Sequence, residues 1–225
     1  MGSMGSGKST LIEYIKDHQK ELEIILGQPI VTFSEYLDPI WRNNFYRDRK
    51  LHTQGFEFNA LNGRIGRHFE AREFPGIAFF DRGMIEGAET FALNSYEEGF
   101  FRREHFQRYK DQLYNALDDL DRTVAQTWLE SVVIYLEVED TKVLKERCDR
   151  RADEQRLEKI PLEYLHRMNT VRYPQLVNHL PKIYREKYQV PTPRILKINA
   201  SIDVRDCPQY LAETIDLVLT EIKRG

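Results

Sequence analysis

Gly2-Ser3-Met4-Gly5-Ser6-Gly7-Lys8-Ser9, one residue into the chain, fits the pattern G-x-x-x-x-G-K-[ST]. In such a loop the backbone N–H groups turn inward and hold phosphates at a helix start, and glycines keep side chains out of their way. The lysine bridges the β- and γ-phosphates of a nucleoside triphosphate, and the final hydroxyl is a ligand for Mg²⁺. Those residues are Lys8 and Ser9 here, with Thr10 next in line. The helix that should follow is present, because Leu11, Ile12, Ile15 and Leu22 recur among charges at amphipathic spacing over residues 9 to 22. A merely flexible Gly/Ser terminus would not need it. What is missing is the buried strand that such a loop normally leaves, since only Met1 precedes Gly2. A chain that lacks its true beginning is the favoured expectation. A foreign Met1-Gly2-Ser3 leader, or a protein that lives without a central strand, are the others.

Outward from the loop, four short apolar or β-branched runs read as strands: Ile30-Val31-Thr32-Phe33, Ile77-Ala78-Phe79-Phe80, Val132-Val133-Ile134-Tyr135-Leu136 and Ile195-Leu196-Lys197-Ile198. Helical patterning separates them, over 56 to 73 (broken by Pro75-Gly76), over 104 to 129, from about Thr141 and again from Pro161. A last helix follows Pro208, with Leu211, Ile215, Val218 and Ile222 on one face. Strands buried on both faces and alternating with helices predict an α/β protein, a parallel sheet between two helical layers. No repeat, low-complexity tract or linker divides the chain, so residues 1–225 are expected to form a single domain.

The composition narrows the function classes. With 225 residues, 33 Lys+Arg against 36 Asp+Glu and a net charge of −3, the chain is no nucleic-acid binder held by bulk positive charge, which needs many clustered cations. An anionic ligand must be held locally. No apolar run reaches the roughly 20 residues that cross a bilayer, so no membrane partner is expected. Cys148 and Cys207 lie far apart without C-x-x-C spacing, which argues against a disulfide framework or zinc module and for a reducing compartment. The amino terminus has neither a secretory nor an Arg-rich import pattern. A cytoplasmic location is expected, with a mitochondrial one left open if the beginning is lost.

Several residues can carry chemistry beside the loop. Asp81 ends the second strand, where parallel sheets deliver side chains to a ligand crevice, and Arg82 follows it. An acid there holds a metal, directly or through water, or else caps a helix. Glu35 lies just beyond the first strand and reaches the same crevice, either to take the proton of an attacking hydroxyl or as a solvated loop acid. Arg147, Arg150 and Arg151 present three guanidinium groups on one helical face. They close over a triphosphate, or pair with Glu146, Asp149, Asp153 and Glu154 at the surface. Trp41, Phe45, Tyr46, Phe58 and Phe91 either line a slot for a flat ring or belong to the core.

Taken in order, these features resemble the deoxynucleoside kinase family, which includes deoxycytidine, deoxyguanosine and deoxyadenosine kinases. The landmarks are the phosphate loop, the Glu35…Trp41 segment resembling E-P-V-x-x-W, and Phe79-Phe80-Asp81-Arg82-Gly83 resembling F-[DE]-R-S. An Arg-rich lid at about 147–160 follows, and then Ile160-Pro161-Leu162-Glu163-Tyr164-Leu165, resembling I-P-L-x-Y-L. The resemblance spans essentially the whole chain. It implies a three-layer P-loop NTPase fold with a five-stranded parallel sheet, its first strand missing here, in a homodimer. It also implies transfer of the γ-phosphoryl group of ATP, with Mg²⁺, to the 5′-hydroxyl of a deoxynucleoside.

By the same resemblance Glu35 is the base for that hydroxyl, with Arg82 beside both, and Asp81 serves the metal together with Ser9. The lid arginines contact phosphate and Glu154 the sugar. Trp41 belongs to the substrate side, Tyr46 contacts the 3′-hydroxyl, Phe58-Asn59 matches a Phe-Gln pair at the base, and Phe91 packs on the base. There are departures. Asn59 is one methylene shorter than the Gln it replaces, Gly87 (next to Glu86) stands where many members carry an Asp facing the base, and Gly83 replaces Ser. Leu61-Asn62-Gly63-Arg64-Ile65 is similar to bacterial members that prefer purine deoxynucleosides. Two rival readings remain at this stage. One is a nucleoside monophosphate kinase of the thymidylate kinase type. The other is a non-catalytic subunit with a kinase fold, favoured by the absent strand and by Asn59 and Gly87, and opposed by intact Lys8, Ser9, Glu35, Asp81 and Arg82.

Overall fold

A computed structural model describes residues 1–35, 37–123, 131–155, 157–203 and 207–224. The front loop turns at Gly7, whose φ of 95° lies in the left-handed region that glycine alone adopts without strain, and α1 (Lys8–Asp17) starts at the next residue. His18 leaves helical geometry and separates α1 from α2 (Gln19–Leu26), so the expected helix over 9 to 22 is two helices. Leu11, Ile12, Ile15 and Leu22 are all buried, as their spacing predicts.

The four expected strands are present: β1 (Ile30–Phe33), β2 (Ile77–Phe80), β3 (Val132–Glu137) and β4 (Arg194–Asn199). Among the described residues they form two parallel pairs, β1 with β2 and β3 with β4, and the pairs share no ladder. Met1 lies alongside β3. Its ammonium donates to Ile134 O at 2.7 Å and its carbonyl accepts from Leu136 N at 3.0 Å. The single continuous sheet expected from the sequence is therefore two pairs with one strand-like residue beside β3. β2 pairs with β1 alone, and all four of its residues stay half-exposed rather than buried on both faces.

Two helices connect β1 to β2. Asp38 caps α3 (Pro39–Arg47) by accepting from Ile40 N at 2.8 Å, with proline at the first helical position, and Asp48 caps α4 (Arg49–Arg72) through Leu51 N at 3.1 Å. After β2 come α5 (Met84–Gly87), a π-helical turn (Ala88–Ala92) and α6 (Leu93–Glu97). α7 (Arg103–Thr123) confirms the helical reading as far as Thr123, and residues 124–129 of that reading lie outside the described residues. α8 (Thr141–Gln155), α9 (Leu162–Arg167), α10 (Tyr173–Asn178), α11 (Leu180–Lys182) and α12 (Pro208–Lys223) follow.

Alternation along β3 shows the layers. Ile134 and Leu136 pack with the clusters of α1 and α12, whereas Tyr135 packs with Phe45, Phe56, Phe91, Tyr164 and Tyr173 on the other face. That aromatic cluster backs the crevice at the carboxyl ends of the strands. No described helix is long and apolar enough to cross a membrane.

Candidate active site

The end of each strand sets one part of the site. Asp81 follows β2 and Glu35 follows β1, and Asp81 N donates to Phe33 O at 2.9 Å, which fixes the two strand ends side by side. Ser9, in the first turn of α1, donates from Oγ to Asp81 Oδ2 at 2.9 Å, and Asp81 Oδ1 is buried without a partner. Lys8 is buried and folded back on its own loop, donating to Gly2 O at 2.7 Å and Ser3 O at 2.9 Å. Burial first, and then the Arg82 guanidinium, pull its pKa down to about 8 against the pull of Asp81, Glu86 and Glu35.

Glu35 is held between two arginines. Arg82 Nε donates to Oε2 at 2.6 Å, and Arg64 pairs with Oε1. Burial by itself would raise its pKa, but the two guanidinium groups win and hold the carboxyl at about 2, so it is a carboxylate at any physiological pH. Arg82 is fixed in turn from behind. Its Nη1 donates to Glu86 Oε1 at 2.9 Å and to Tyr173 Oη at 2.5 Å, Tyr173 Oη donates to Glu86 Oε1 at 2.8 Å, and its guanidinium carbon lies 4.5 Å from the Phe91 ring centre. The arginine that meets Glu35 thus has little freedom to move.

These groups face one cavity of about 330 Å³. Of the residues singled out in the sequence, Met4, Gly5, Ser6, Gly7, Lys8, Ser9, Thr10, Glu35, Tyr46, Asp81, Arg82, Phe91, Arg147, Arg150 and Arg151 line it. Gly2 and Ser3 stand behind the loop and supply carbonyls to Lys8. The arginines of α8 differ in their bonds. Arg147 donates to Gly5 O at 3.3 Å, Ala200 O at 2.9 Å and Ser201 O at 2.9 Å, and so ties α8 to the loop and to the end of β4. Arg150 pairs with Asp203 at 2.6 Å, and Arg151 is exposed at the cavity wall.

Four expected residues are not brought in. Trp41 is 38% exposed and packs over Gly55, away from the cavity. Phe58 meets Phe101 and Tyr109 edge-on in the core, Asn59 is exposed on the other side of α4, and Glu154 is exposed beyond the lining. Phe45 is fully buried and stacks on Phe56, so it is core rather than slot.

The phase of α4 explains the correction. Its buried face runs Thr53, Phe56, Glu57, Ala60, Leu61, Arg64 and His68, so Phe56, Glu57 and Arg64 are the residues it turns to the cavity, where Phe58-Asn59 had been expected. A helical wheel anchored on Leu61 would have found them. Arg42 of α3 also lines the cavity and was missed. At Gly87 a Cβ would fall 2.1 Å from Arg64 Nη1, so Arg64 fills the space that a side chain at this position would take.

A phosphate loop leading into α1, with an acid at each of two neighbouring strand ends, defines a nucleotide-dependent phosphotransferase with a P-loop kinase fold. The profile of the deoxynucleoside kinase family matches residues 1–221. This chain therefore belongs to the deoxynucleoside kinase family, whose members phosphorylate deoxynucleosides from a nucleotide donor. Among solved structures it is similar to a deoxyadenosine kinase from M. mycoides with the products dCMP and a flexible dCDP bound. That match has 21% identity and a TM-score of 0.63, over 98% of this chain and 97% of that one. Structures of deoxyadenosine kinase from M. mycoides with bound dATP (22% identity, TM-score 0.62) and with bound dCTP (22%, 0.61) each match over 96% of both chains. At this identity the likeness speaks for the fold. No curated protein matches the chain.

Proposed function

We propose that this enzyme transfers the γ-phosphoryl group of ATP to the 5′-hydroxyl of a deoxynucleoside, with Glu35 receiving the hydroxyl proton. The observation that carries this reading is the meeting of Glu35, Lys8, Ser9, Asp81 and Arg82 in one cavity beside the loop. A carboxylate near pKa 2 is a weak base. It suffices here because the transition state is loose. The carboxylate accepts the hydroxyl's hydrogen bond, aims its lone pair at the γ-phosphorus, and takes the proton only as the new P–O bond makes that proton acidic. Arg82 holds Glu35 in place and presents positive charge where the attacking oxygen arrives. Lys8 exchanges the carbonyls of Gly2 and Ser3 for the β- and γ-phosphates.

Mg²⁺ belongs to this reading. Asp81 Oδ1, buried and unpartnered, and Ser9 Oγ form an oxygen donor pair of the kind this cation takes. Among the described residues no cluster of three or more His, Cys, Asp or Glu side chains forms a metal cage, which suits an ion held by one or two protein groups and by substrate phosphates. When bound, the ion would neutralise the developing charge between the phosphates. In this reading Tyr46, whose hydroxyl donates to Met4 Sδ at 3.3 Å, exchanges that weak acceptor for the sugar 3′-hydroxyl, and Phe91, which lines the cavity, packs on the base. Arg150 and Arg151 supply charge to the phosphates, while Arg147 fastens the lid of about 147–160 to the loop. One domain over 1–225, read from an undivided chain, a cytoplasmic setting, read from the cysteines and the amino terminus, and a homodimer, carried over from the family resemblance, are parts of the same proposal.

The test is a phosphorylation assay with Mg²⁺-ATP and a panel of deoxynucleosides in competition with their 5′-monophosphates. The deoxynucleosides are expected to yield 5′-monophosphate and ADP, with none formed when the cation is chelated. Preferential phosphorylation of the monophosphates would contradict the assignment.

A further inference from the structure

Two guanidinium groups that line the cavity have no counter-charge. Arg42 lies one turn before Tyr46 on α3, on the same face and half-buried, and Arg151 comes from α8. The charges that act on Arg42 are those of Tyr46 and of Arg151, which is a like charge. Five acids line the same cavity, and each is engaged elsewhere. Glu35 pairs with Arg64 and Arg82, Asp203 with Arg150 and Glu158 with Arg47, while Asp81 accepts from Ser9 and Glu57 from Ser95. Among the described residues no acid meets Arg42 or Arg151. Burial, and behind it Arg151, hold the Arg42 pKa below its ordinary value against the pull of Tyr46. A half-buried cation kept beside a second cation calls for an anion on the ligand.

The neighbours also say where that anion stands. Tyr46 is within electrostatic range of Arg42 and of Arg82 and Glu35, whereas the charges acting on Arg42 include neither of those two, nor Lys8. Arg42 therefore lies beyond Tyr46 as seen from the reacting centre, away from the β- and γ-phosphates on Lys8. A 5′-phosphate on the acceptor would stand instead at Glu35, whose carboxylate repels it. With Tyr46 at the sugar 3′-position, the anion beyond it is one attached to the 3′-oxygen.

We propose that Arg42, with Arg151, binds a phosphate carried on the 3′-oxygen of the acceptor, so that a deoxynucleoside 3′-monophosphate is a second and better class of acceptor. This deepens the proposed function and rests on it. A phosphate monoester carries nearly two negative charges at neutral pH, which matches two guanidinium groups, and the arginine fork suits its oxygens in pairs. The reaction is otherwise unchanged. The 5′-oxygen bonds to the γ-phosphorus as the bond to the leaving oxygen of ADP breaks, and the hydroxyl proton goes to Glu35. The products are ADP and a deoxynucleoside 3′,5′-bisphosphate.

The experiment measures kcat/KM for the best deoxynucleoside and for its 3′-monophosphate at saturating Mg²⁺-ATP, for the wild-type enzyme, Arg42→Gln and Arg42→Lys. The ratio of the two acceptors within one preparation cancels Lys8, Glu35 and any unfolded fraction. In the wild type it is expected to favour the 3′-monophosphate by about tenfold or more, chiefly through a lower KM, and to shrink as ionic strength rises from about 0.05 M to about 0.3 M. Arg42→Gln should bring the ratio to about one, and Arg42→Lys, which keeps the charge without the fork, should retain part of it. A dinucleotide with a free 5′-hydroxyl, whose 3′-phosphate carries a single charge, should fall between the two acceptors. A wild type that uses both acceptors equally, or prefers the bare deoxynucleoside, would overturn the proposal without any variant having to fold. So would an undiminished preference in Arg42→Gln, inhibition by the 3′-monophosphate that ATP relieves by competition, or use of the dinucleotide ahead of the monophosphate. Failure of the wild type to phosphorylate either acceptor is a different result, which would remove the proposed function and this inference with it.

Discussion

Lys8 holds its proton less tightly than an ordinary lysine, because burial and Arg82 lower its pKa from 10.5 to about 8. The sign of the consequence is fixed. Below about pH 8 the ammonium is present and meets a triphosphate at full strength; as pH rises through 8 it is lost, and binding should weaken by up to about tenfold per unit. Calorimetric titration of ATP between about pH 7 and pH 9.5 reads this directly, and Lys8→Met should bind weakly with a flatter profile. An ATP affinity unchanged across that range would contradict the assigned contact. At this scale the sequence disclosed the residues that backbone topology delivers: Lys8 and Ser9 by motif, and Asp81 and Glu35 because a parallel strand ends where its ligand begins. It did not disclose Glu57 or Arg64. Their side chains reach the cavity only because α4 presents one particular face to it, and a two-residue error in register exchanged Glu57 for Asn59.

Among the elements, α8 is the one whose role changed most between sequence and structure. The sequence offers its arginines as one face turned to phosphate or as surface partners of neighbouring acids; all three line the cavity, but the Arg147 guanidinium is committed to three backbone carbonyls that join the lid to the phosphate loop and to the chain after β4. Hydrogen bonds from a charged donor are worth about 1.5–3 kcal/mol each, so Arg147→Ala is expected to loosen the loop as well as remove charge. The prediction is a lower melting temperature together with a KM for ATP raised by about tenfold. An unchanged melting temperature with the same KM defect would make Arg147 a phosphate contact only. Among other boundaries, those of α3 and the start of α4 were not expected, since the helical patterning read between β1 and β2 begins only at residue 56, while the start of α1 was legible from Gly7 before it. The break at His18 was not, because the apolar spacing continues across it from Ile15 to Leu22.

For the whole molecule, the alternation of strand and helix sufficed to specify a parallel α/β architecture, and four strands appear where four apolar runs stood. Continuity of the sheet could not be read from those runs, since pairing depends on what occupies the place beside β3, where the structure has Met1. The crevice forms nonetheless, because β1 and β2 hold Glu35 and Asp81 in register while α1, tied to Asp81 through Ser9, brings the phosphate loop to them. The account as a whole turns on one carboxylate standing between a sugar hydroxyl and a triphosphate. Glu35→Gln keeps the size and hydrogen-bonding reach of that side chain and removes its ability to take a proton. Single-turnover phosphoryl transfer with the best deoxynucleoside, measured beside nucleoside binding, should show kcat reduced about a hundredfold or more with binding largely retained. Transfer at the wild-type rate in that variant would contradict the account.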